Sequence, residues 1–141
     1  MVEKTTVKHI LFTLRGCPFE LLDDKEFIRM LLYRATKECK STLLNLATHK
    51  FDPQGVTGVA MLAESHISIH TWPEKGVAKC DIFTCGDKCD PHKAVEYLGN
   101  AFKANTGTAE VHYQHPLTFE GESESQRAMT GMLTYEDSVI G

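Results

Sequence analysis

The densest group of reactive side chains is the twelve-residue run Ala63-Glu64-Ser65-His66-Ile67-Ser68-Ile69-His70-Thr71-Trp72-Pro73-Glu74. It sets carboxylates, hydroxyls, two imidazoles and an indole between two apolar stretches. A serine hydroxyl becomes a nucleophile when a base stands within hydrogen-bond reach, and histidine is the usual base near neutral pH. The same alternation also fits the exposed face of a strand, with Ile67 and Ile69 on one side and His66, Ser68 and His70 on the other. His66 and His70 share a face, but four residues of strand hold them about 13 Å apart. One ion cannot bridge that gap, and no strong zinc-ligand spacing completes a set, so no metal is expected. A second cluster, Thr84-Cys85-Gly86-Asp87-Lys88-Cys89-Asp90, carries the thiol of Cys85 beside a glycine just after an apolar stretch. Its C-x3-C spacing to Cys89 is neither the redox C-x-x-C nor a usual zinc pair. Cys17, Cys39 and Cys80 read as packed thiols.

These residues need a frame, and the hydropathy pattern supplies one. Residues 7–14 (VKHILFTL) read as a strand that stops at Gly16. Asp23 or Asp24 caps a helix with Glu26 in its first turn. Phe27, Ile28, Leu31, Leu32 and Ala35 then recur at helical spacing, and the helix should end near Cys39 or Lys40. Residues 42–51, 56–62, 66–72 and 77–83 read as strands, the first two parted by the turn Asp52-Pro53-Gln54-Gly55. Asp90-Pro91 opens a second helix that buries Val95, Leu98 and Phe102, and residues 109–114 form a last strand. Strands joined by short turns predict a mainly antiparallel sheet with two helices on one face, an α/β (α+β) two-layer sandwich. The other face then needs cover, and a second copy of the chain is the simplest cover, so a homodimer through the sheet side is expected.

A chain of 141 residues is long enough for one core, so residues 1–115 are read as a single domain. The formal charge of −4 resides in residues 116–141, which are read as an acidic, mobile extension in which 129–133 could dock on the body or a partner. The rest is balanced and carries no basic patch, which argues against a nucleic-acid partner. No apolar run is long enough for a membrane span. The first residues lack the apolar core of a secretory signal, so the cytoplasm is expected, with the five cysteines reduced.

The run AESHISIHTWPE, preceded by HKFDPQGVTGVAML and followed by DIFTCGD, resembles the small prokaryotic S-adenosylmethionine decarboxylases over roughly residues 9–113. That resemblance implies a proenzyme that cuts itself between Glu64 and Ser65 into a β chain, 1–64, and an α chain, 65–141. The Ser65 hydroxyl would attack the preceding carbonyl. Elimination would free the Glu64 carboxylate, and hydrolysis would leave a pyruvoyl group and ammonia. By the same resemblance, His70 is the processing base and Thr57 the hydroxyl that assists it. The covalent pyruvoyl cofactor would form a Schiff base with the amine of S-adenosylmethionine, and Cys85 would return a proton to the substrate after CO2 leaves. Phe51 would stack on the adenine, Glu74 would bind the ribose hydroxyls and Trp72 would line the pocket. The product, decarboxylated S-adenosylmethionine, is the aminopropyl donor for spermidine synthesis. Two other readings stay open: a pyruvoyl-dependent arginine or ornithine decarboxylase on the same scaffold, and a non-catalytic metal-binding or regulatory relative.

Overall fold

The computed structural model describes residues 7–86, 89–114 and 133–136, the last four as backbone. Strand β1 (Val7–Arg15) is followed by a single helical turn, α1 (Phe19–Leu22), and by helix α2 (Lys25–Glu38). Next come β2 (Leu43–Lys50), β3 (Val56–Leu62), β4 (Ser65–Trp72), a 3-10 turn (Pro73–Lys75) and β5 (Val77–Cys85). Helix α3 (Pro91–Ala101), β6 (Thr106–Gln114) and β7 (Leu133–Glu136) complete the order. One seven-stranded sheet runs β2-β3-β4-β5-β1-β6-β7, and each neighbouring pair is antiparallel. The α+β sandwich expected from the pattern is the fold found. Residue 115 and, of the acidic tail, residues 116–132 and 137–141 lie outside the described residues, while Leu133–Glu136 pairs with β6 as the edge strand.

The strand period of two divides the sheet cleanly. Ile10, Phe12 and Leu14 of β1 pair in register with Ile82, Cys80 and Ala78 of β5. Ile67 and Ile69 of β4 and Ala60 of β3 continue the same layer. All are buried against Ile28, Leu31, Leu32 and Ala35 of α2 and Ala94, Leu98 and Phe102 of α3. Asp24 starts α2 by accepting a hydrogen bond from the Phe27 N–H at 3.0 Å, so of the two aspartates read as caps it is the second that serves. Gly58 of β3 lets α2 come close: a Cβ there would stand 2.7 Å from Leu32 Cδ1 and 3.2 Å from both Ile28 Cγ2 and Thr48 Cγ2. Leu32 and Ile28 are fully buried and have nowhere to move. Gly58→Ala is therefore expected to destabilise the fold by about 1–3 kcal/mol through overpacking. A lower urea midpoint at unchanged slope checks it.

The opposite face of the sheet carries no helix among the described residues. It presents Leu11, Val59, Met61 and Trp72, all exposed, among polar neighbours.

The cysteines depart from expectation at one place. Cys39, which caps α2, and Cys89, just before α3, are joined as a disulfide with a Cα–Cα distance of 5.2 Å. The backbone brings them together, since the Asp90 N–H donates to the Cys39 carbonyl at 3.0 Å. Cys17, Cys80 and Cys85 are free thiols. Burial pushes Cys17 up to about 11 and Cys80 higher still, so both stay protonated and inert.

Candidate active site

The expected site residues fall into two groups, at opposite ends of β4. The first group lies at its start. A two-residue turn, Ala63-Glu64, joins β3 to β4, and Leu62 pairs with Ser65 across it. Glu64 sits in the left-handed region with φ of 61°. That conformation costs a residue with a Cβ about 1–2 kcal/mol, so the Glu64–Ser65 peptide belongs to a strained turn. Ser65 is half-buried as the first residue of β4. Continuing the β4–β5 register beyond His66↔Phe83 brings Glu64 alongside Cys85. The Cys85 thiol is raised above its ordinary pKa, first by burial and then by the negative charge of Glu64. It is held protonated at neutral pH.

The second group lies at the far end of the strand. Thr57 of β3 pairs with His70 of β4, and the Thr57 Oγ1 stands 3.1 Å from His70 Nδ1. Phe51 follows β2 with 47% of its surface exposed, and its ring meets the edge of His49 at 4.6 Å. The turn that presents it is well built. The Phe51 N–H donates to the Gly55 carbonyl at 2.8 Å, the Gly55 N–H to Asp23 Oδ1 at 2.9 Å, and Lys50 Nζ pairs with the same oxygen at 3.1 Å. The Gly55 hydrogen bond, aided by Lys50, holds the Asp23 carboxyl below its usual value against a small burial penalty. Trp72 ends β4 half-exposed, and Glu74 projects from the 3-10 turn that follows.

Ser65 and His70 are five residues apart on one regular strand. At about 3.3 Å per residue they are separated by roughly 16 Å. Five is an odd number, so their side chains leave the sheet on opposite faces. In a single chain His70 is not within reach of Ser65, contrary to the expectation of a base beside its nucleophile. Ser65 and Cys85 lie at one end of β4; the Thr57–His70 pair, Phe51, Trp72 and Glu74 lie toward the other. A cavity of about 380 Å3 on the open face, lined by Leu11, Thr13, Lys79 and Glu110 among others, holds none of them.

One polar constellation was not expected at all. Asp81 of β5 lies at the centre of the open face. His9 Nε2 and His66 Nε2 approach its Oδ2 at 2.6 and 2.8 Å, and the Ser68 hydroxyl donates to its Oδ1. Burial works against the Asp81 charge, but the Ser68, His9 and His66 hydrogen bonds outweigh it and hold the carboxyl below its usual value. His9 and Asp81 lie 72 residues apart and meet only through the β1–β5 register. The one signal in the sequence was the open-face alternation of His66 and Ser68.

Comparison with known proteins adds an independent line. A family model described as S-adenosylmethionine decarboxylase matches residues 8–114. The S-adenosylmethionine decarboxylase proenzyme of Synechococcus sp. (strain WH7803) is 55% identical over 97 residues, 69% of this chain and 76% of the relative. The proenzyme of the same name from Methanococcus maripaludis is 56% identical over 96 residues, 68% of this chain and 79% of the relative. The crystal structure of the adenosylmethionine decarboxylase from Aquifex aeolicus matches with a TM-score of 0.74 at 38% identity, covering 86% of this chain and 99% of that one.

Proposed function

The chain belongs to the S-adenosylmethionine decarboxylase family and is a carboxy-lyase acting on S-adenosylmethionine, and we propose that it makes its own pyruvoyl cofactor by cutting before Ser65 and works as a homodimer whose active sites are each completed by the second copy. The observation that carries self-cleavage is the turn at Glu64. A left-handed non-glycine residue immediately precedes the serine, and the thiol that the resemblance assigns to proton delivery lies beside it. Strain at a scissile bond is a recurrent device for raising the ground state toward reaction. The relatives are named proenzymes, which agrees with a chain that must be processed.

The residues fit a group generated at position 65. Bound there, a pyruvoyl group supplies a keto carbon that takes the substrate's amine and an electron sink for the bond broken when CO2 leaves. Cys85, kept protonated, holds the proton that the substrate's α-carbon needs afterwards. Phe51 offers a flat exposed ring to the adenine and, through its π face, to the neighbouring sulfonium. Glu74 offers two carboxylate oxygens to the paired ribose hydroxyls. Trp72 borders the same end.

The roughly 16 Å between Ser65 and His70 on one strand is the argument for the dimer. Two sheets packed face to face lie about 10 Å apart. A two-fold axis passing near Ser68, midway along β4, would reverse the second strand and bring one copy's His70, on the open face, over the other copy's Glu64–Ser65 turn, where the scissile peptide rather than the Ser65 side chain on the helix face would meet it. The exposed Leu11, Val59 and Met61 would be covered by the same contact.

Two measurements test the reading. Intact mass after incubation should report two chains, residues 1–64 and 65–141, and labelled S-adenosylmethionine should release CO2; release from arginine or ornithine instead would refute the substrate. For the dimer, Ser65→Ala and His70→Ala chains are each expected to remain whole when expressed alone. Co-expressed, the His70→Ala chain should be cut, because its Glu64–Ser65 turn meets the intact His70 of the other copy. Absence of cleavage in stable mixed dimers would place the base in the same chain and overturn the shared site.

A further inference from the structure

We propose that His9, His66 and Asp81 form a binding site for one divalent cation of the zinc class, because His9 Nε2, His66 Nε2 and an Asp81 carboxylate oxygen lie within 4.8 Å of one another on three adjacent strands. The backbone makes the convergence rigid. His9 of β1 and His66 of β4 both pair with Phe83, one on each side of β5. Asp81 is two residues along β5 from Phe83 and projects from the same face. The Phe83 ring packs against both imidazoles, stacked on His66 at 5.7 Å and 6° and edge-on to His9 at 5.4 Å and 71°, while the imidazoles meet each other edge-on at 6.0 Å. Both rings are thus oriented by packing, which is how metal ligands are usually held.

The carboxylate is divided between two tasks. Ser68 donates to Oδ1, and Oδ2 is left facing both Nε2 atoms at 2.6 and 2.8 Å. Without an ion, each imidazole donates its Nε2–H to that one oxygen, so the two nitrogens already aim at a common point. With an ion, each neutral imidazole moves its proton to Nδ1 and presents the Nε2 lone pair, a tautomer shift that needs no other reactant. Zinc takes N and O ligands at about 2.0–2.2 Å, so in tetrahedral geometry the ligand atoms stand roughly 3.3 Å apart; the two N–O spacings of 2.6 and 2.8 Å would open by about half an ångström or slightly more, and the Nε2 atoms, within 4.8 Å of each other, would settle to the same spacing. Water would be the fourth ligand. Two imidazoles and one carboxylate select zinc, cobalt or nickel over magnesium and calcium, which prefer all-oxygen shells. Cys85 lies four residues from Asp81 on β5, about 13 Å along the strand, so no thiol takes part. The ion would clip β4, β5 and β1 together at the middle of the open face; its ligands all come from one chain, but in the proposed dimer, whose axis passes near Ser68, it would lie within the contact between copies.

The test uses full-length, untagged protein stripped with a chelator. Zinc titration by calorimetry should give one ion per chain and raise the melting temperature. Cobalt(II) should give visible bands of a tetrahedral N/O site with no sulfur charge-transfer band in the near ultraviolet. His9→Gln and His66→Gln should each weaken zinc by more than about 100-fold, beyond the effect of losing an outer-shell partner. Their urea midpoints in the absence of metal would establish that both variants fold. No uptake by the parent chain, equal uptake by either folded variant, or a cobalt–sulfur band overturns the site and leaves the three residues as a hydrogen-bonded network.

Discussion

Ser65→Ala is expected to leave the chain in one piece. A denaturing gel should give a single band at the full 15.8 kDa, and intact mass should find residue 65 unmodified however long the protein is incubated. The reason is chemical. The proposed cleavage before residue 65 begins with the Ser65 oxygen on the preceding carbonyl, and a methyl group has no lone pair to offer. Nothing beside it substitutes: Glu64 is on the wrong side of the bond, and Cys85 lies across on the neighbouring strand. Without processing there is no keto group, so decarboxylation should fall by on the order of a thousand-fold or more, as it does when a covalent nucleophile is removed elsewhere. Folding should be unaffected, since a half-buried serine at a strand end contributes within about 0.5 kcal/mol. A Ser65→Ala protein that still splits into two chains would end the self-processing account. One that stays whole but keeps full activity would end the cofactor account.

Much of the frame can be read from the chain because it is encoded locally. The Asp24 cap and the spacing of Ile28, Leu31, Leu32 and Ala35 announce α2, and the alternation around Ile67 and Ile69 announces β4. Even the separation of the two groups is in the strand arithmetic: the rise that parts His66 from His70 parts Ser65 from His70 by one residue more. Other features depend on register between distant strands and have no local signal. The β1–β5 pairing that sets His9 against Asp81 spans 72 residues. The Cys39–Cys89 link spans 50 and follows from how α2 ends beside the start of α3. The beginning of β6 was also hidden, because the pattern marks a strand only from 109 while tertiary pairing with Arg15 and Leu14 carries it back to Thr106 and Gly107.

Cys85→Ala separates the two halves of the chemistry. It is expected to process normally, because the proposed cleavage assigns its chemistry to Ser65 and the Thr57–His70 pair and none to the thiol. Turnover should then fall by about 100- to 10,000-fold, the usual worth of a positioned acid. It should also decay with each cycle, since a proton that misses the substrate's α-carbon and lands at residue 65 leaves an amine there. Mass analysis of residues 65–141 after turnover would detect that amine. Cys85→Ser should sit between the parent and alanine, because a hydroxyl fills the same space but is a far weaker acid. The pH profile gives a sign that a packing role would not. The thiol donates only below its pKa, which burial and then Glu64 raise, so kcat should hold through neutral pH and fall as the pH climbs through that elevated value. A cleaved Cys85→Ala enzyme that turns over at the parent rate, or a parent enzyme with no alkaline limb, would transfer the proton to another group.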